Sequence, residues 1–133
     1  MTLHLLDTNI ASHIMRRDLP VVLKRLREIP ANDVAISALT KGELLYGLEK
    51  RQNPSALTRT IMSFLRTVTV LPWTTETAET YGVFNAKCMQ RGIGLSAIDM
   101  MIAAHAISLG AILVTRDKAF SQVGENLKIE SWM

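Results

Sequence analysis

Residues 3–10, LHLLDTNI, decide how the rest of the chain is read. Three of the four residues from Leu3 to Leu6 are apolar, and Asp7, Thr8 and Asn9 follow at once. An apolar run passing straight into helix-starting polar residues is the pattern of a buried strand feeding a helix. In an open α/β sheet, ligand sites lie beyond the carboxyl ends of the strands, which is where Asp7 would stand. On these residues alone, a plain N-cap explains Asp7 or Thr8 equally well.

Outward from this stretch, strand and helix keep alternating. Thr8 to Arg17 reads as a helix, broken at Asp18-Leu19-Pro20, and Pro20 suits the opening of the next helix, Val21 to Glu28. A loop at Pro30 to Asp33 leads into a short apolar strand, Val34 to Ser37. Helices at Leu39 to Arg51, striped by Leu44, Leu45 and Leu48, and at Ala56 to Thr67 flank a break at Asn53-Pro54-Ser55. Val68 to Leu71 is β-rich, and Thr75 to Arg91 is a long helix stopped by Gly92 and Gly94. Ala97 to Leu109 has almost no polar face and belongs deep in the core. Gly110 ends it, Ile112 to Val114 is a buried strand, Lys118 to Val123 a short helix, and Leu127 to Ile129 a last strand. This order predicts an α/β fold with a parallel sheet covered on both faces and joined by right-handed crossovers.

The 133 residues are 48% hydrophobic, enough for one domain over 1–133 with a real core and too apolar for disorder. No repeat, low-complexity segment or linker divides it. The single Cys88 excludes an intrachain disulfide framework and a cysteine-based zinc site, and favours a reducing cytoplasmic setting. No apolar run is long enough to span a membrane, and Asp7 comes too early for a signal peptide. The charge is uneven. Residues 1–66 hold ten Lys and Arg against six acids, a net +4; residues 67–133 hold five against six, a net −1. A basic half is compatible with a polyanion such as nucleic acid, and equally with an ordinary solvated surface.

Four of the twelve acids open helices after a strand or loop: Asp7, Glu43, Asp99 and Asp117. Each has a structural explanation. Thr40-x-x-Glu43 and Ser96-x-x-Asp99 match capping boxes, and Asp117 suits an N-cap. Together they suggest more. In a parallel sheet Asp7 and Asp117 share the carboxyl edge, Glu43 is within reach of it, and Asp99 opens a buried helix where a lone carboxylate is expensive. Carboxylates gathered in one cleft repel each other, and a hard divalent cation relieves that. An oxygen-only donor set selects Mg²⁺ or Mn²⁺ over zinc. Such a site suits phosphodiester hydrolysis.

The ordered set LLDTNI, SALTKGELLYG, SAIDMMIAAHA and LVTRDKAF, spread over essentially the whole chain, resembles the PIN-domain proteins, and more narrowly the VapC-type ribonuclease toxins of bacterial toxin–antitoxin pairs. The resemblance implies a PIN-like three-layer sandwich, a central parallel sheet flanked by helices. It implies a Mg²⁺- or Mn²⁺-dependent endoribonuclease toxin that hydrolyses RNA, is neutralised by a cognate antitoxin, is usually a homodimer, and meets DNA only through the antitoxin. By motif it makes Asp7, Glu43, Asp99 and Asp117 the catalytic, metal-binding acids, Asp117 at a position the family often fills with Asn. Asn9 and Thr115 match positions that orient the carboxylates. Arg16, Arg17, Lys24, Arg25 and Arg27 are candidates to hold the RNA backbone.

Other residues carry less. His4, His13 and His105 lack metal-ligand spacing, and each reads as a satisfied core or surface histidine. Cys88 reads as an inert thiol, Met100 and Met101 as core. Trp73 and Trp132 serve packing or a partner surface. The competing function is a non-catalytic binding module in a repressor complex with a DNA-binding partner, against which the acid set argues. A flap-type DNA nuclease is weakened by the short chain.

Overall fold

Strand residues point alternately into two cores, and this makes the domain three-layered. Leu5, Ala35 and Leu113 enter one core, while Leu6, Ile36 and Val114 enter the other. The computed structural model describes residues 2–124 and 126–132. Its elements in order are β1 (His4–Leu6), α1 (Thr8–Arg16), α2 (Pro20–Arg27), β2 (Val34–Ser37), α3 (Ala38–Lys50), α4 (Ser55–Thr67), β3 (Thr69–Leu71), α5 (Thr75–Gln90), α6 (Ala97–Leu109), β4 (Ile112–Val114) and β5 (Lys128–Glu130). Turns of 3-10 helix lie at Ala31–Asp33 and Lys118–Val123.

All strand pairs are parallel, in the order β3-β2-β1-β4-β5. The chain winds outward from β1 through β2 to β3, then returns to the other side of β1 with β4. The order therefore reverses between β1 and β4, and a crevice opens beyond their carboxyl ends. Asp7 directly follows β1, and Thr115 to Asp117 directly follow β4. The Asp7 amide donates to the Val114 carbonyl at 3.0 Å, so the β1–β4 ladder runs up to the edge of the crevice.

Helix α6 packs between the sheet and α5, with Ile102, Ala103, Ala104 and Ala106 buried. Its alanines bring the helix backbone close to the strands, and Gly110, at φ 64°, lets the chain turn out of it. On the opposite face Ile10, Ile14 and Val22 of α1 and α2 close the second core. Leu44, Leu48 and Ile61 form a smaller third one between α3 and α4.

The expected elements are all present, with local corrections. The short helix at Lys118–Val123 is of the 3-10 type, and the final strand is Lys128–Glu130 rather than Leu127–Ile129. Helix α3 begins at Ala38 with Ser37 as its N-cap, accepting from the Leu39 amide at 3.1 Å. Thr40 and Glu43 therefore lie inside the helix, and the expected Thr40–Glu43 capping box does not form. Strand β2 passes into α3 without a loop, which moves the cap three residues back.

Candidate acidic site

Asp7 sits at the bottom of the crevice, only 5% exposed. Its Oδ1 accepts from the Ile10 amide at 2.9 Å and so caps α1. Its Oδ2 accepts from the Thr115 hydroxyl at 2.5 Å. The cap explanation thus accounts for one oxygen and leaves the other fixed from β4. Burial pushes the Asp7 carboxyl above its usual range; its hydrogen bonds pull it down, and the charges of Asp99 and Asp117 push it up again.

Asp99 lies in the first turn of α6, half-buried. Ser96 is the N-cap, its hydroxyl oxygen accepting from the Asp99 amide at 3.1 Å, and the Asp99 carboxyl in turn bonds that hydroxyl. Among the described residues no bond returns from Asp99 to the Ser96 amide, so only half of a capping box is present. Burial, then the charge of Asp117, pushes Asp99 up as well. Asp117 is exposed and caps the 3-10 turn through the Ala119 amide at 2.9 Å. Its own amide donates to Thr115 Oγ1 at 3.0 Å, so Thr115 bridges Asp7 and Asp117.

Glu43 is held apart from these three. Its Oε1 accepts from the Thr8 hydroxyl at 2.5 Å. That uses the Thr8 proton, so the buried Thr40 donates to Thr8 Oγ1 at 3.2 Å. Glu43 is not among the charges that act on Asp7 or Asp99. The crevice thus gathers Asp7, Asp99 and Asp117, and Glu43 stands at its side, linked through Thr8, the neighbour of Asp7.

The donor set is all oxygen, and the charges acting on Asp7 and Asp99 are all negative. Among the described residues no group of three acid, His or Cys side chains forms a ready cage for a cation. An all-oxygen set of donors suits a hard cation such as Mg²⁺, which keeps several waters and needs one or two carboxylates. Asn9 is exposed on α1, and among the described residues no hydrogen bond joins it to an acid. Thr8 and Thr40, which in the sequence suit only helix caps, support Glu43 instead; a hydroxyl directly after Asp7 and another one turn before Glu43 are the signals the sequence carries for it.

The five cationic candidates separate. Arg16 bonds Asp18 at 2.9 Å and His13 at 3.1 Å. Arg25 bonds Glu130 at 2.8 Å and lies 6.0 Å from the centre of the Trp132 ring. Arg17, Lys24 and Arg27 are exposed. Cys88 is buried, and burial pushes its thiol up, as an inert thiol requires.

His105 is fully buried on α6, and its Nδ1 lies 2.9 Å from Ser37 Oγ. It ties the helix bearing Asp99 to the cap of the helix bearing Glu43. Burial holds this imidazole below its ordinary value of 6.5. The folded state therefore binds fewer protons than the unfolded state below that value, and the stability this group contributes is lost as pH falls from 6.5 toward the lower folded value. We expect His105→Asn, which keeps an acceptor for Ser37, to melt lower than wild type at neutral pH but to lose less with acidification. Melting curves from pH 7.5 to 5 check it; parallel pH slopes would count against it.

The PIN domain family matches residues 4–126 of the chain. Ribonuclease VapC2 of Haemophilus influenzae is 33% identical over 134 residues, covering all of both chains. The tRNA(fMet)-specific endonuclease VapC of Shigella flexneri is 33% identical over 129 residues, 96% of each. A solved VapBC of Salmonella typhimurium, bound to DNA, superimposes with TM-score 0.91 at 28% identity over all of both chains. VapBC2 of Rickettsia felis, bound to a fragment of promoter DNA, gives 0.90 at 26% identity, covering 99% of this chain and all of that one. The chain belongs to the PIN-domain family. Within it the likeness is to the VapC-type ribonuclease toxins.

Proposed function

We propose that this protein is a Mg²⁺- or Mn²⁺-dependent endoribonuclease toxin that hydrolyses RNA and is neutralised by a cognate antitoxin. The observation that supports it most is the set of three carboxylates at the β1/β4 crevice, Asp7 raised by burial and by the charges of Asp99 and Asp117, and Asp99 by burial and by the charge of Asp117. Asp7 and Asp99 would hold the cation, with Asp117 and Glu43 at the periphery. When bound, it would neutralise phosphoryl charge and make water a better nucleophile. Thr115 orients Asp7, Ser96 orients Asp99, and Thr8 orients Glu43; exposed Arg17, Lys24 and Arg27 are suited to the RNA backbone. RNA cleavage by highly purified protein should require Mg²⁺ or Mn²⁺ and stop with EDTA; full activity in excess chelator would reject the metal.

The antitoxin belongs to the proposal because the VapC-like chains just described were solved in VapBC complexes. An apolar cleft of about 320 Å³, lined by Leu26, Ile29, Phe64 and Val68, suits an apolar anchor of such a partner. DNA would be met only through that partner. A homodimer in the cytoplasm completes the reading, with sedimentation as its test. Among the described residues no helix is long and apolar enough to cross a membrane.

A stability measurement separates the metal role of Asp99 from its helix position. As a favourable charge on the α6 dipole alone, Asp99 would add about 0.3–1 kcal/mol, lost in Asp99→Asn with or without metal. As one of several crowded carboxylates it is destabilising without a cation. We expect Asp99→Asn to melt at or above wild type in EDTA. Mg²⁺ at about 100 times its Kd should stabilise wild type by about 2.7 kcal/mol, and the variant much less. Four melts decide, and a variant that melts lower in EDTA yet gains as much from Mg²⁺ returns Asp99 to a helix-end role.

A further inference from the structure

We infer that the groove between α1, α3 and α4 seats the RNA strand next to the scissile phosphate, with Arg51 holding a neighbouring phosphate; this rests on the ribonuclease reading above. The groove, about 330 Å³, adjoins the acidic crevice through Thr8 and Glu43, which both line it. Glu43 and Gly47 of α3 and Arg51, which caps its C-terminus, recur every four residues and all line the groove. They share one helix face, and Arg51 stands about 12 Å from Glu43 along the axis. Leu57, Thr60 and Ile61 of α4 form the opposite wall.

Charge identifies the occupant. Arg16 also lines the groove, but its guanidinium is occupied by Asp18. Arg51 has no acidic partner among the described residues; its Nη1 donates to the Gly47 carbonyl at 3.2 Å, leaving its other N–H groups free for an anion. Gly47, near the end of α3, leaves room for this contact: a Cβ there would lie 3.3 Å from Arg51 Nη1 and would push the guanidinium by a few tenths of an ångström. Beyond Thr60 the groove continues into a cleft holding Arg17 and Arg59, neither paired with an acid among the described residues. Arg51, Arg17 and Arg59 thus line adjoining clefts beside the acidic crevice, over an apolar floor. A polyanion with unstacked bases, a single RNA strand, matches both features.

The test uses the full chain and an RNA oligonucleotide with one mapped cleavage position, together with versions shortened from either end. Arg51→Ala should raise KM about five- to tenfold with kcat nearly unchanged, and Arg51→Lys should recover part of the loss. The slope of log KM against log salt should fall by about 0.7, as for one lost phosphate contact on a single strand. On RNA shortened on the groove side, wild type and Arg51→Ala should give the same KM. Gly47→Ala should shift KM in the same direction by less. Arg51 is exposed, so an unchanged melting temperature verifies folding. If wild type cleaves RNA while Arg51→Ala leaves KM and salt slope untouched, the groove assignment is overturned and the ribonuclease reading stands. The same holds if Arg51→Ala weakens only the binding of a protein inhibitor. If wild type cleaves no RNA with either metal, the ribonuclease reading fails and the groove assignment with it.

Discussion

Asp7→Asn is expected to lower RNA cleavage by about 10²–10³-fold, the loss seen when one preorganised electrostatic group is removed from an active site, while the protein stays folded. Asparagine keeps the shape and an acceptor oxygen for the Ile10 amide, and it is as good an N-cap as aspartate. What it removes is the charge held by Thr115 at the switch point of the sheet. That charge is disfavoured by burial in the metal-free protein, so the variant should melt no lower than wild type in EDTA. The measurements are single-turnover cleavage in saturating Mg²⁺ and melting curves in chelator. A soluble Asp7→Asn protein that cuts at the wild-type rate would remove Asp7 from the chemistry.

The positions of Asp7 and Asp117 along the chain were legible because each follows an apolar run short enough to be a strand, and that of Asp99 because it opens an apolar helix. Their distances from one another were not. Asp7 and Thr115 are 108 residues apart, and only the parallel pairing of β1 with β4 brings them into contact. The sequence pattern placed all five strands but could not show that the strand order reverses between those two. Glu43 shows the opposite failure. Ser37 and Thr40 are both hydroxyl residues near the start of α3, and local pattern chose the wrong one as cap. Only the unbroken passage from β2 into α3 makes Ser37 the cap, and that left Thr40 free to support Thr8 against Glu43. Exposure misled as well: Arg25 reads as one more surface cation on a basic helix, because its partner Glu130 is 105 residues away.

That partner leads to the largest expected stability effect. Trp132 is fully buried against Leu6, Ile10 and Ile36, and its indole N–H donates to Glu130 Oε1 at 2.8 Å. The same oxygen accepts from Arg25 at 2.8 Å, and the guanidinium faces the indole ring. The indole, the carboxylate and the guanidinium thus fasten the edge strand β5 to α2. Trp132→Ala removes a large buried side chain and should cost about 3–5 kcal/mol, enough to lower the melting temperature by about 10 °C or more. Arg25→Ala breaks only the partly exposed ion pair and ring contact, and solvent screening limits its cost to about 1 kcal/mol. If Arg25 serves this junction, its loss should lower the melting temperature slightly and leave KM for RNA unchanged, unlike the loss of Arg51. An Arg25→Ala protein with wild-type stability and a raised KM would return Arg25 to the RNA surface and leave Trp132 and Glu130 to hold β5 without it.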